Sequence, residues 1–156
     1  MVAMAAMAEK MTIFFNVKEH GIMIAKAIPR CFDIVNDIVI SNVNSEGKLL
    51  GGVTFDGFVG NCIFIHQAGF DKHWLSKDML FCAFDYPFNR LKVGKVAATI
   101  SSGAKDLLAF NARLGFIEEC RITDAYPDGD MVVLSMTRDQ CPWLKIKPSF
   151  KKAANE

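Results

Sequence analysis

Between Gln67 and Leu75 the apolar period of the chain changes, and this change constrains its fold more than any other feature. From Asn61 to Gln67 the side chains alternate, with Cys62, Phe64 and His66 on one face and Ile63 and Ile65 on the other, the period-two pattern of a strand. From about Leu75 to Leu91 the apolar residues Met79, Leu80, Ala83, Phe84 and Phe88 recur at helical spacing, with Ser76 or Asp78 near the start and Pro87 predicting a bend or a loosened last turn. A strand that hands over to a long apolar helix needs a sheet face to cover.

The flanking segments extend this pattern in both directions. Asn16 is expected to cap a helix over 17–28, with Glu19 completing a capping box and Pro29 ending it. The β-branched run Ile34–Ile40 predicts a strand, followed by the turn Asn44-Ser45-Glu46-Gly47 and a second strand from Lys48 to Phe55, so that the segment at 61–67 closes an antiparallel meander. Lys95 to Ile100 reads as a buried strand. Ser101-Ser102-Gly103 breaks it before a helix over 104–114 that Gly115 closes in the left-handed conformation. Phe116–Tyr126 and Met131–Thr137 predict a hairpin across Pro127-Asp128-Gly129-Asp130, and Trp143 and Leu144 are expected to dock on the core. These elements imply an α/β fold, a mixed and mostly antiparallel sheet flanked by helices.

Length and charge narrow the functional classes. A chain of 156 residues, about half of them apolar and thirteen of them Phe, is sized for a single buried core. We expect a flexible or partly helical lead over 1–15, one domain over 16–144 and a tail over 145–156. The formal charge is +1, and no basic block exceeds the pair Lys151-Lys152. Nucleic acid is therefore not the expected partner. The apolar start, Met1 to Ala8, is too short for a membrane span and no basic region precedes it, so no membrane association is expected. Cys31, Cys62, Cys82, Cys120 and Cys141 lie tens of residues apart, without zinc-ligand spacing. Each is expected to pack as a small buried hydrophobe in a reduced cytosol, and no metal site is expected.

Three segments in a fixed order carry a family resemblance: Phe88-Asn89-Arg90-Leu91, then Val96-Ala97-Ala98-Thr99-Ile100, then Asn111-Ala112-Arg113-Leu114-Gly115-Phe116. They are preceded by Gly51-Gly52-Val53 and by Ile65-His66-Gln67-Ala68-Gly69, and followed by Tyr126-Pro127-Asp128-Gly129-Asp130 with Met136. This pattern, over about 34–144, resembles the GNAT superfamily of N-acetyltransferases. Within that superfamily it looks like the branch of the ribosomal-protein serine and alanine acetyltransferases, and like small acetyltransferases encoded by bacteriophages. The resemblance implies a cytoplasmic protein, in the host cytoplasm if phage-encoded, with acetyl-coenzyme A as co-substrate and an amine-bearing protein or small molecule as acceptor.

It also implies a splayed sheet whose fourth and fifth strands, here 61–67 and 95–100, part to admit the coenzyme. The residues expected to bind it are His66, Gln67 and Ala68 at the end of the fourth strand, then Trp74, Leu75, Ser76, Lys77 and Asp78 at the next helix N-terminus, and Ala104 and Asn111 on the last helix. His66 and Asn111 are the expected catalytic residues, His66 as the base that takes the amine proton. The backbone N–H groups near Gln67 and Ala68 would polarise the thioester carbonyl.

Three positions depart from the superfamily pattern. Gly69-Phe70-Asp71-Lys72-His73-Trp74-Leu75-Ser76 stands where a glycine-rich pyrophosphate loop is usual, leaving Lys72, His73 or Lys77 to supply charge. Ala104 replaces an Asn, and Asn111 replaces a Tyr that would protonate the leaving thiolate. His66 is either the base or a hydrogen-bonded structural histidine. Asn111 either bonds the pantetheine or is an exposed helix residue. His20 is expected at the surface of the first helix, and Asp124, Asp128 and Asp130 as turn residues. The alternative to an enzyme is a GNAT-fold binding module, catalytically weak or inactive, that acts through protein contacts. A third reading is a homodimeric scaffold.

Overall fold

The computed structural model describes residues 11–28 and 30–150. The expectations for Met1 to Ala8, for Pro29 and for the Lys151-Lys152 pair lie outside the described residues. Seven strands form one sheet: β1 (Thr12–Phe15), β2 (Ile38–Val43), β3 (Leu49–Asp56), β4 (Cys62–Gly69), β5 (Lys95–Ser101), β6 (Ile117–Tyr126) and β7 (Gly129–Thr137), in the order β1-β2-β3-β4-β5-β7-β6. Every neighbouring pair is antiparallel except β4 and β5. Among the described residues three α-helices flank the sheet: α1 (Lys18–Ala27), α2 (Lys77–Asp85) and α3 (Lys105–Leu114).

The period change at Gln67 is where the sheet meets its central helix. Ser76 caps α2, its side chain accepting from the Met79 N–H at 3.2 Å. Met79, Phe81, Cys82, Ala83 and Phe84 are all buried, which accounts for a helix apolar on more than one face. Pro87 has no N–H to give to the preceding turn, and the backbone widens there into a π-helical turn, Tyr86–Arg90, in which the Leu91 N–H reaches the Tyr86 carbonyl. α2 packs with Ile40, Val53, Phe55, Ile63, Ile65, Val96, Leu134 and Met136 into the main core. α1 lies on the opposite face, where a Cβ on Gly52 would stand 2.7 Å from the Ile24 side chain.

α3 ends as its sequence predicts. Gly115 adopts φ 105°, its N–H bonds the Ala112 carbonyl, and the Phe116 N–H bonds the Asn111 carbonyl. The Trp143 indole N–H donates to the Leu114 carbonyl at 2.8 Å, docking the chain beyond β7 on the core.

Several expectations give way to local hydrogen bonding. The strand expected over 34–40 begins at Ile38. Asp33 folds back to accept the N–H groups of Val35 and Asn36, which turns Ile34 and Val35 out to solvent, the latter 84% exposed. Residues 12–15, expected in a flexible or partly helical lead, instead pair with β2 as an edge strand, so the sheet starts before residue 16. Asn16 is not the cap of α1: it sits at φ 61°, and Val17 occupies the cap position without a side-chain bond. Cys82 and Cys141 are buried as expected, whereas Cys31 and Cys120 are exposed at the surface.

Candidate functional site

β4 and β5 pair at only three positions, Cys62 with Lys95, Ile63 with Val96 and Phe64 with Ala97. Both strands run on. β4 stays bonded to β3 as far as Gly69, and β5 to β7 as far as Ser101, so that each offers an unpaired edge to a gap opening beyond Phe64 and Ala97. In the middle of a sheet such edges leave N–H and C=O groups that an extended ligand can pair with in place of a strand.

His66 stands just inside this gap on the face that carries α1, its side chain 19% exposed. Its Nε2 lies 2.8 Å from Asp56 Oδ1. Arg30 bonds the other oxygen of Asp56 and also Asp37 Oδ2 at 2.9 Å and Thr54 Oγ1 at 2.8 Å. The chain therefore brings an ion-paired cluster to His66 from three separate segments. Burial pushes the Asp56 carboxyl up, but the hydrogen bond and charge of His66 and the charge of Arg30 outweigh it and hold the carboxyl below its usual range. Asp56 and Arg30 went unnoticed in the sequence because nothing in their spacing marks them. The register of β3 on β4 brings Asp56 to His66, since Asp56 pairs with Phe64 and Thr54 with His66, and the return of the chain after α1 brings Arg30. A cavity of about 340 Å³, lined among others by Asp37, Asp56, Phe58 and Tyr86, opens beside the cluster.

Gln67 points to the opposite face, where its Nε2 donates to Asn111 Oδ1 at 3.1 Å. Asn111 is not the exposed helix residue that one reading expected. It is 1% exposed, and its Nδ2 donates to the Leu107 carbonyl at 2.9 Å. Both ends of its amide are thus engaged inside the protein.

The loop from β4 to α2 is held by Trp74, whose indole lies against Gly69 and whose Cβ lies against Gly51; a Cβ added to Gly69 would come within 2.2 Å of the ring. The Trp74 carbonyl accepts from Asn42 Nδ2 at 2.7 Å. Lys77 and Asp78 occupy the first two helical positions, whose N–H groups have no acceptor within the helix. Asp78 accepts from the backbone N–H and the hydroxyl of Ser149. His73 is exposed, and its N–H bonds Asp71. Ala104 caps α3 without a side-chain bond. Ala68 pairs with Gly52 on β3, Leu75 is half-buried in the loop before α2, and Ser76 caps that helix.

The remaining titratable candidates are accounted for by structure. His20 is half-buried rather than at the surface, with Nδ1 2.7 Å from Ser41 Oγ, and burial lowers its pKa. Asp128 accepts from Ser101 Oγ, which ties the β6–β7 turn to the end of β5, and Asp130 accepts from the Asp124 N–H within the hairpin. Among the described residues no three His, Cys, Asp or Glu side chains converge as a metal site, and no helix is long and apolar enough to cross a membrane.

A strand order interrupted by one short parallel pairing, with a gap above it, is a distinctive topology, and solved structures share it. The spermidine/spermine N-acetyltransferase SpeG from Vibrio cholerae in complex with manganese ions matches over 84% of this chain and 94% of its own, with TM-score 0.66 and 11% identity. Mutant forms of that enzyme match with TM-score 0.57 and 13% identity, the chain spanning 66% of their length. The fold is the GNAT fold. A probable acetyltransferase, 22% identical, matches over 68% of this chain and 63% of its own with TM-score 0.54. No protein-family model matches the sequence, and no curated protein does. At identities of 11–22% the likeness is one of GNAT architecture and singles out no branch within it.

Proposed function

We propose that the protein transfers an acetyl group from acetyl-coenzyme A to a primary amine by direct attack. The observation that carries this reading is the parting of β4 from β5 after three paired residues, in a fold otherwise seen in N-acetyltransferases. The residues present fit the coenzyme: the open β4 edge from Ile65 to Gly69 suits an extended pantetheine, and the free N–H groups at Lys77 and Asp78 suit an anion. The thioester supplies an activated acyl carbon with a thiolate leaving group.

In the proposed reaction His66 removes the proton of the acceptor amine, the amine nitrogen bonds the acyl carbon, and the carbon–sulfur bond breaks to release coenzyme A. Backbone N–H groups near Gln67 and Ala68 stabilise the developing oxyanion. A thiolate is tolerable near neutral pH, so the step does not depend on a tyrosine at Asn111. Holding amine and thioester in one gap supplies much of the rate.

One observation favours the second reading, a GNAT-fold module acting through protein contacts. The α2 N-terminus carries the Asp78 carboxylate, already bonded to Ser149, and lacks the glycines that let a backbone close on phosphate. Titration calorimetry with acetyl-coenzyme A separates the two. Saturable binding, followed by mass spectrometry of lysate incubated with labelled acetyl-coenzyme A, is the expected result. No heat and no thermal stabilisation at millimolar ligand would leave the binding module.

A further inference from the structure

We propose that Asp56, itself oriented by Arg30, is a positioning residue that holds His66 in its Nε2–H tautomer and so presents Nδ1 as the lone pair that accepts the amine proton. This rests on the acetyl-transfer reading of the gap.

The argument is one of donors and acceptors. An ionised carboxylate has no hydrogen to give, so at 2.8 Å from Asp56 Oδ1 the Nε2 of a neutral His66 must be the donor. The proton on Nε2 leaves Nδ1 bare, and Nδ1 has no hydrogen-bond partner among the described residues. Arg30 makes the arrangement rigid. Its guanidinium, also donor-only, takes the second Asp56 oxygen while Asp37 and Thr54 fix its other directions. Asp37 is in turn bonded by the Asp33 N–H, and Lys18 bonds the Asp37 carbonyl at 2.8 Å. Around His66 the charged groups are thus Asp56 from β3, Arg30 from the segment after α1, and Asp37 with Lys18 behind it. When Nδ1 takes the amine proton, the resulting imidazolium keeps its bond to a carboxylate. No electrons change hands, and the proton stays on the ring until solvent removes it. This is the logic by which a carboxylate orients a histidine base in hydrolytic triads, here built on adjacent antiparallel strands.

Asp56→Asn tests the arrangement sharply. Arg30 requires an oxygen, so the new amide turns its NH2 toward Nε2, which must then accept. The His66 tautomer flips to Nδ1–H and the lone pair leaves the gap.

Nitrogen-15 spectra of the imidazole, recorded without ligand near pH 8, are expected to show Nε2–H in the unmodified protein and Nδ1–H in Asp56→Asn. The kcat for acetyl transfer should fall by about 10²–10⁴-fold while KM for acetyl-coenzyme A changes less than about twofold. The unmodified protein in the Nδ1–H form, or an unchanged tautomer or kcat in the variant, overturns the proposal. Should Asp56→Asn fail to fold, Asp56→Ala serves: with the carboxylate gone a mixture of the two tautomers is expected, and an unmixed Nε2–H form would overturn the proposal. Absence of acetyl-coenzyme A binding would instead fail the proposed function, since the tautomer is read with no ligand present.

Discussion

Gln67 on β4 and Asn111 on α3 are joined by a 3.1 Å hydrogen bond on the core face of the sheet, beside the gap that β4 and β5 leave open. The bond ties the free end of β4 to the helix that follows β5, so the gap has a fixed floor although its two strands no longer pair. Asn111 is enclosed, and both its amide oxygen and its amide nitrogen are already bonded inside the protein.

Replacing Asn111 with the tyrosine usual at this position in GNAT proteins should therefore harm the fold without adding a proton donor. A ring forced into a 1% exposed site overpacks it, at about 1–3 kcal/mol, and Gln67 loses its acceptor. We expect Asn111→Tyr to melt several degrees lower, at about 2–4 °C per kcal/mol, with no gain in acetyl transfer, by calorimetry and a coupled thiol assay.

The α2 cap gives a second measurement. Ser76 is the side chain that satisfies the Met79 N–H, and Ser76→Ala should cost about 1 kcal/mol. The loss should appear as a lower melting temperature. Circular dichroism at neutral pH is sufficient to read it, with Ser76→Thr retaining most of the stability.

Acid should erase the stabilising effect of Asp56. Its carboxyl is held below the ordinary range by His66 and Arg30 against the opposing effect of burial, so in the folded state it binds a proton less readily than in the unfolded state. That contribution is complete above the unfolded carboxylate pKa, near 4, and is lost as pH falls through the lower folded value. The melting temperature of the unmodified protein should exceed that of Asp56→Asn at pH 6–7, and the difference should begin to shrink as pH falls below about 4. A constant difference down to pH 3 would exclude the linkage.

Much of this architecture was written in local patterns, and the part that was not depends on contacts between distant residues. The period change at Gln67, Ser76 as a cap, Pro87 as a loosened turn and Gly115 as a left-handed stop each act within a few residues, so sequence suffices to read them. Ile34 and Val35 mislead because their β-branching competes with an Asp33 side chain that bonds its own backbone, and the shorter-range bond wins. The site divides in the same way. His66 at the end of its strand could be located, but Asp56 and Arg30 reach it only through the register of β3 on β4 and the return of the chain after α1. One reading puts Asn111 at the surface because Asn side chains often face water, and its burial beside Gln67 depends on how α3 packs on the sheet.

The α2 N-terminus offers the most direct check on where a coenzyme would lie. Lys77 and Asp78 place opposite charges at the first two helical positions, and Asp78 is engaged by Ser149. If the diphosphate binds there, the Asp78 carboxylate repels it, and Lys77 attracts it with an energy of about 0.3–1 kcal/mol at an exposed site. Lys77→Glu should then weaken acetyl-coenzyme A binding by at least about two- to fivefold, and Asp78→Asn should strengthen it by a similar factor. Both effects should shrink as salt rises from 50 to 500 mM, since exposed charges are screened. Dephospho-coenzyme A, which keeps the diphosphate and lacks the 3′-phosphate, should respond to both variants as the full coenzyme does. Equal affinities for all three proteins at low salt would move the anion away from this helix, and with it the proposed path from the β4 edge.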